Sequence, residues 1–273
     1  VNIAHERYQA LNIEGDPANI PATSQFVFEQ VFSSIINGYK NNLPLIFSGG
    51  GAMNIINNSK HKAFVSPNPD DRGIALGCLL HILKPSEVVN SMYIGMTWND
   101  DKYNQLDPIE FANKLIEEKI IGLVQGNSEH GARALGNRSI LCLPKKGMKD
   151  KINSRVKFRE PYRPFSPMCR EEDKYRWFNS KNNTMWMAHN AQVINNSESI
   201  DSIIHYDNTA RLQTITQTSN PYLYMVLTEL ANKGVDPIIL NTSFNKQGKP
   251  ILNTMEEAKW MLDNTGLDDL VVL

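Results

Sequence analysis

The feature that most constrains this chain is a glycine-spaced segment at 126–141, which follows a short apolar run at 120–124. The apolar run predicts a buried strand. Gly126, Gly131 and Gly136 then recur at five-residue spacing, and a chain that leaves a strand into glycines can bring its backbone amides against an anion. The segment therefore predicts a loop at a strand end, either an anion-binding loop or an ordinary glycine-containing one.

The charged residues of this segment are compatible with both interpretations. Arg133 and Arg138 can hold an anion through planar, two-pronged hydrogen bonds. In an ordinary surface loop the same two arginines would be solvated. The segment alone leaves the choice open.

A second glycine turn follows an apolar run at 43–47 and precedes a predicted helix. Strand, glycine turn and helix place backbone donors and a helix N-terminus where a phosphate or nucleoside can bind. Gly49, Gly50 and Asn54 are the candidates here. The turn lacks the Gly-Lys-Ser/Thr ending of a P-loop, so a purely structural turn stays an alternative.

An acidic turn precedes an apolar segment at 73–83, which predicts a buried helix in which Gly77 allows close packing. The carboxylate of Asp71 in this turn has two interpretations. It can cap the helix, or it can ligate a metal ion. We favour the cap, because capping acids are the more frequent.

A run of cations at 149–163 holds Lys149, Lys151, Arg155, Lys157, Arg159 and Arg163. Such runs usually form a solvated helix face, and the first two lysines fit that interpretation. Beyond Lys157 the prolines at 161, 164 and 167 prevent a helix, and aromatic residues are interleaved. The later cations therefore look placed by the fold.

Polar residues end a further predicted strand at 237–240, where Asn241 and Ser243 follow. Small polar side chains at the carboxyl end of a strand are typical of sites in α/β sheets. Arg211 and Gln213 share one face of a predicted strand at 205–215. His189 and His205 are interpreted as structural or surface residues, because no metal-ligand spacing accompanies them.

Composition narrows the class of protein. The chain has 273 residues, enough for about two domains, and we place their boundary near residue 105. A net charge of −1 argues against a strongly basic nucleic-acid binder. Three scattered cysteines argue against a disulfide framework or a cysteine zinc site. With no membrane-length apolar run and no signal peptide, we expect a cytoplasmic protein.

Together these motifs resemble those of a known family. Its hallmark run is Glu-x-Gly-Pro-Arg-Ala-Leu-Gly-Asn-Arg-Ser-Ile-Leu, and here residues 129–141 read EHGARALGNRSIL. Further motifs stand at 49–54, 67–77, 149–165, 207–214 and 241–250. The chain resembles the O-carbamoyltransferases that tailor nodulation factors and antibiotics, in register from about residue 20 onward.

The resemblance implies an α/β chain of two domains. Residues 1–105 would be the C-terminal part of an ASKHA-type (actin- and Hsp70-like ATPase) carbamoyl-transfer domain, and residues 106–273 a YrdC-like domain. In such enzymes the YrdC-like domain forms carbamoyl adenylate from carbamoyl phosphate and ATP. The ASKHA-like domain then passes the carbamoyl group to a hydroxyl of a small-molecule acceptor, beside a divalent metal, Mg or Fe.

The resemblance also implies roles for individual residues, by position. Those matched to the catalytic cluster around carbamoyl phosphate and nucleotide are Arg133, Lys157, Arg163 and Arg211. Those matched to cofactor binding are Gly49, Gly50, Asn54, Glu129, Arg138, Asn241 and Ser243. Asp71 matches the acid of the metal site. Fixed cationic donors suit two polyanionic substrates, because they stabilise the charge that develops on the phosphates.

The chain departs from the family pattern at several single positions, among them Leu143, Lys249 and the neighbours of Asp71, and also by an absence. Ala132 replaces the proline before the hallmark arginine. The family's first ASKHA half, with its paired metal-binding histidines, is absent, since none of the six histidines shows HxxxH spacing. We expect that half to be supplied in cis or in trans, and we expect this chain alone to lack a complete metal site and complete transfer activity.

Two rival functions stay open at the level of sequence. One is transfer of a carbamoyl-type group onto a nucleic-acid base, which the near-neutral charge disfavours. The other is a non-catalytic nucleotide-binding subunit that completes a partner chain. The sequence also leaves a homodimer open and does not identify the acceptor.

Overall fold

The computed structural model describes residues 19–39, 43–86, 92–98 and 105–273. The chain divides into two compact units, residues 1–45 and 46–273. The described part of the first unit is essentially one helix, α1 (Asn19–Gly38). The second unit spans residue 105, and the domain boundary that we place there stays a prediction.

The second unit alternates helices and strands, and the α/β class predicted from the sequence is confirmed. Its α-helices are α2 (Ile55–His61), α3 (Arg72–Leu83), α4 (Pro108–Ile116), α5 (Met148–Ile152), α6 (Pro221–Asn232) and α7 (Met255–Asn264). Its strands are β1 (Ile46–Phe47), β2 (Phe64–Val65), β3 (Ile121–Val124), β4 (Arg138–Cys142), β5 (Ser166–Arg170), β6 (Phe178–Asn179), β7 (Ala191–Val193), β8 (Thr209–Ala210), β9 (Gln213–Ile215), β10 (Ile238–Ser243) and β11 (Asp269–Val272).

A six-stranded mixed sheet with the order β11-β3-β4-β10-β5-β9 forms the centre of this unit. Strand β10 lies antiparallel to both neighbours, and Asn241 pairs with Leu141 of β4 and with Ser166 of β5. The glycine-spaced segment begins just after β3 and continues into β4, which pairs antiparallel with β3. The sheet therefore brings three distant motifs of the sequence to neighbouring strands.

Both faces of the sheet are buried. Ile238 and Leu240 of β10 pack into one core cluster, and Ile239 between them packs into the other, as the two-residue period of a strand requires. Helices α4 and α6 cover the second face, where the rings of Phe111 and Tyr222 meet edge to face at 5.8 Å. This two-sided burial fixes the strand ends that carry the polar motif residues.

Two smaller sheets complete the unit, β1-β2 and β6-β7-β8. The single strand predicted at 205–215 is instead two short strands in different sheets, because β8 pairs with β7 while β9 pairs with β5. Arg211 lies at the junction between them. Because Arg211 belongs to neither strand, it does not share a strand face with Gln213, and that prediction is wrong.

Helix α3 contradicts the predicted buried helix. None of its residues is buried, and Ile82 is 76% exposed. A Cβ added at Gly77 would meet no atom within 4 Å, so the expected close packing is also wrong. Apolar composition predicts burial only where another element covers the helix, and within the described ranges no element does so. No helix among the described residues is long and apolar enough to cross a membrane.

Candidate functional site

A cavity of about 330 Å³ lies between β10, the glycine-spaced segment at 126–141 and the proline-containing segment at 159–166. Three of the four predicted catalytic cations line it, namely Arg133, Arg163 and Arg211. Asn241 and Ser243 line it from the end of β10. The structure thus brings side chains from four separate motifs to one cavity.

The loop that carries Arg133 is built around the buried carboxylate of Glu129. Its Oε1 accepts backbone N–H groups from Leu135 at 2.6 Å, Asn137 at 2.8 Å and Arg138 at 3.2 Å. Burial raises the pKa of Glu129 against the opposing effect of these hydrogen bonds. Glu129 does not line the cavity and instead shapes the loop around it.

A glycine is required where this loop passes helix α6. Gly136 has a φ of +114°, and a Cβ there would lie 2.8 Å from Cδ1 of Leu223. Both the left-handed backbone and the close approach exclude a side chain. Packing against α6 therefore explains why the third glycine of the segment, Gly136, is a glycine.

The structure places Arg138 away from the cavity. The residue is completely buried, and its guanidinium donates to the backbone carbonyls of Gln125, Met96, Gly126 and Asn137 at 2.9–3.0 Å. It also lies over the ring of Trp98, 4.6 Å from the centroid. Both of its terminal nitrogens donate to the backbone, and its buried Nε has no partner among the described residues. The arrangement does not support the expected anion clamp at Arg138.

Lys157 is likewise turned toward the backbone. Its Nζ donates to the carbonyl of Ser243 at 2.6 Å, and to the side-chain and backbone oxygens of Asn245 at 2.6 and 2.8 Å. It is 2% exposed and does not line the cavity. Burial lowers its pKa, aided by the charge of Arg159. Lys157 therefore fixes the end of β10 through hydrogen bonds to Ser243 and Asn245.

Arg159, which the family resemblance did not match to the catalytic cluster, also lines the cavity. Its Nε donates to Oδ1 of Asn153 at 2.7 Å, and its guanidinium lies 4.7 Å from the ring centroid of Phe165. The helical segment ends at Phe158, whose φ is +49°. The proline-dense continuation after Lys157 was the signal for this placement.

The electrostatics of the cavity are one-sided. Four guanidiniums line it, and none of its described lining residues is an acid. Burial lowers the pKa of Arg211, as do the charges of Arg133 and Arg159, and the hydrogen bond from its Nε to Oγ of Ser166 spans 3.0 Å. Arg163, at the more exposed edge, pairs with Glu160 at 2.9 Å. Such a concentration of cations fits a polyanionic ligand.

Two hydrogen-bond acceptors accompany these cations. Asn241 donates through Nδ2 to Oε1 of Gln213 at 2.7 Å and to the carbonyl of Ala134 at 3.1 Å, which leaves its buried Oδ1 without a partner among the described residues. His205 also lines the cavity, and the expectation that it is a structural or surface residue stays a prediction. No metal-ligand spacing marks His205, so the sequence carried no signal for it.

The glycine turn at 49–54 lies outside the cavity wall. Asn54 caps α2, since its Oδ1 accepts the backbone N–H of Asn57 at 3.1 Å. Gly49 has a φ of +85° and donates its backbone N–H to the carbonyl of Pro69 at 2.6 Å. Gly49, Gly50 and Asn54 do not line the cavity, although the adjacent Ile55 does.

Asp71 does not act as a side-chain cap for α3. It precedes α3 but makes no side-chain capping hydrogen bond, and Asp70 accepts the backbone N–H of Arg72 at 3.1 Å instead. The capping prediction is therefore wrong. Within the described ranges no group of three or more His, Cys, Asp or Glu could hold a metal ion. These residues do not by themselves fit a metal centre, and a metal role for Asp71 stays a prediction.

Comparison with known proteins identifies a family whose sequence pattern matches this chain, and several similar proteins. The family described as "Carbamoyltransferase C-terminus" matches residues 112–273, more than half of the chain. The nodulation protein NolO of Bradyrhizobium diazoefficiens is 34% identical over 262 residues, which is 84% of this chain and 48% of NolO. The 3'-hydroxymethylcephem-O-carbamoyltransferase of Amycolatopsis lactamdurans is 31% identical over 251 residues, 84% of this chain and 48% of that protein.

The chain spans about half the length of these curated relatives. Among solved structures, full-length HypF in its phosphate- and nucleotide-bound form is similar with a TM-score of 0.44 and 17% identity. That match covers 61% of this chain and 25% of HypF. The likeness is too distant to assign any residue.

Proposed function

The chain belongs to the carbamoyltransferase C-terminal family, and from that membership we propose that it is the adenylate-forming part of an ATP-dependent O-carbamoyltransferase. In this proposal residues 106–273 form a YrdC-like domain, and residues 1–105 complete an ASKHA-like domain whose first half lies in cis or in trans. Carbamoyl phosphate, ATP and one water yield carbamoyl adenylate, pyrophosphate and phosphate. The carbamoyl group then passes to an acceptor hydroxyl.

The observation that carries this proposal is the cavity lined by Arg133, Arg159, Arg163 and Arg211 without an acid among its described lining residues. Both substrates are polyanions, and the step builds negative charge on the leaving pyrophosphate. Fixed guanidiniums stabilise that charge without reorganising at the moment of reaction. Glu129 and Lys157 contribute indirectly, because they hold the loop and the strand end that present Arg133 and Ser243.

Pyrophosphate exchange into ATP, dependent on carbamoyl phosphate, tests the proposal. Arg163→Ala removes one charged donor from the cavity edge, and we expect the exchange rate to fall by about 100-fold or more, since removing one such donor costs about 3–4 kcal/mol. Arg155→Ala, on an exposed position of the same segment, is the matched control and should exchange at the wild-type rate.

The outcomes separate the proposal from its rivals. Exchange that survives Arg163→Ala at the wild-type rate would contradict the assignment of this cavity. ATP binding by the wild type without any exchange would favour a non-catalytic nucleotide-binding subunit. Oligonucleotide binding that weakens steeply with salt would favour a nucleic-acid acceptor.

A further inference from the structure

His205 differs in chemistry from the cations that share its cavity. Arginine carries five N–H donors and no acceptor, so the four guanidiniums can bind only the anionic parts of a ligand. His205 is half-buried in the same wall. Among the ionisable side chains of the lining, the imidazole of His205 is the one that can offer a lone pair.

The surrounding hydrogen bonds determine which ring nitrogen of His205 carries the proton. Nδ1 lies 3.1 Å from Oγ1 of Thr209, and that hydroxyl donates its own hydrogen to Oδ1 of Asp207 at 2.7 Å. Because the hydroxyl proton is already used, Thr209 accepts from Nδ1–H. The neutral ring therefore presents an unprotonated Nε2, to which no described residue donates a hydrogen bond.

The charge state of the ring agrees with this geometry. Burial lowers the pKa of His205, as does the charge of Arg211, against the opposing effect of Asp207. The imidazole is therefore neutral at neutral pH, and Nε2 acts as an acceptor. A second acceptor, the unpartnered Oδ1 of Asn241, belongs to the same cavity lining.

We infer that His205 is a specificity-determining residue whose Nε2 accepts a hydrogen bond from an N–H group of the bound acyl phosphate. This inference rests on the proposed function. The site would take a phosphorylated acyl group that bears an amino group, as in carbamoyl phosphate, in preference to acetyl phosphate, which carries a methyl group in its place. The guanidiniums would bind the phosphate of either ligand equally.

Calorimetric titration of the 273-residue chain with each acyl phosphate in turn tests the inference. We expect the wild type to bind carbamoyl phosphate about tenfold more tightly than acetyl phosphate, which corresponds to about 1.4 kcal/mol. His205→Leu should bind both with the affinity that acetyl phosphate has for the wild type. His205→Gln keeps an acceptor oxygen and should retain a preference of about threefold or more.

Two controls separate recognition from folding. His81→Leu alters an exposed histidine of α3 and should keep the full preference. Inorganic phosphate, which has no acyl group, should bind the wild type and His205→Leu equally. A His205→Leu protein that loses phosphate binding as well would overturn the inference, because the ring would then support the whole site.

The remaining outcomes distinguish this inference from the proposed function. If the wild type binds carbamoyl phosphate and acetyl phosphate equally, or if His205→Leu keeps the tenfold preference, the inference fails and the proposed function stands. If the wild type binds neither acyl phosphate, both fail together.

Discussion

The concentration of guanidiniums predicts that Arg211 opposes stability in the free protein. A cavity of about 330 Å³ is roughly 9 Å across, so two guanidiniums on opposite walls repel by about 2 kcal/mol at an effective dielectric constant of 20. Arg211 faces such repulsion from Arg133 and Arg159. Against this it has one hydrogen bond, to Ser166, and no described carboxylate partner.

The substitution that tests this balance is Arg211→Met, which keeps most of the side-chain volume. The lost hydrogen bond from a charged donor costs about 1.5–3 kcal/mol, while the relieved repulsion amounts to about 2–4 kcal/mol before solvent screening. We therefore expect the free energy of unfolding to change by between about −1 and +2.5 kcal/mol. The affinity for inorganic pyrophosphate should fall by about 2–4 kcal/mol, the value of one such donor.

Urea unfolding in phosphate-free buffer, with and without added inorganic pyrophosphate, measures both effects. Arg170→Met is the matched control. Its guanidinium pairs with Asp173 at 2.5 Å and Glu172 at 3.7 Å. The same substitution there leaves these carboxylates without their ion-pair partner and should destabilise the protein by about 3 kcal/mol. If Arg211→Met lost more than about 1 kcal/mol of stability in free protein, the view of Arg211 as a ligand-facing cation would be refuted.

Two further predictions follow from the loop and from the imidazole. Gly136→Ala should cost about 2–4 kcal/mol in thermal or urea unfolding, because its Cβ would lie 2.8 Å from Leu223 at a φ of +114°. Gly147→Ala, with a φ of +82° and no atom within 4 Å, should cost only about 1–2 kcal/mol, and equal losses would contradict the packing argument. The preference for carbamoyl over acetyl phosphate should be constant from pH 8 to 7 and be lost as the pH falls below 6.5, because the pKa of His205 lies below its usual value and the ring accepts a hydrogen bond only until it is protonated. A preference that already weakens between pH 8 and 7 would contradict the lowered pKa. Since the unfolded ring takes up its proton near pH 6.5, protonation of this histidine should also reduce folding stability as the pH falls below that value.

The convergence of Arg133, Arg163, Arg211 and Asn241 was implied by the family resemblance, which matches the arginines to one cationic cluster and Asn241 to cofactor binding. The residues alone could not show that β10 pairs with both β4 and β5, the long-range pairing that brings these motifs together. The prolines after Lys157 indicated that the fold places Arg159, but they did not indicate which cavity it lines. His205 was hidden because an acceptor role requires no second residue at a fixed spacing.

Orientation separates the charged motif residues into two groups that the sequence does not distinguish. Glu129, Arg138 and Lys157 direct their charges at backbone groups, and each fixes a segment that would otherwise leave polar groups unpaired. Arg133, Arg159, Arg163 and Arg211 face the cavity. The first group is hydrogen-bonded mainly to the backbone, although Oε2 of Glu129 and Nε of Arg138 have no partner among the described residues. In the second group Arg163 pairs with Glu160, and all four guanidiniums line the cavity that a ligand would fill. The first group should therefore show its effect mainly in unfolding experiments, and the second mainly in anion binding.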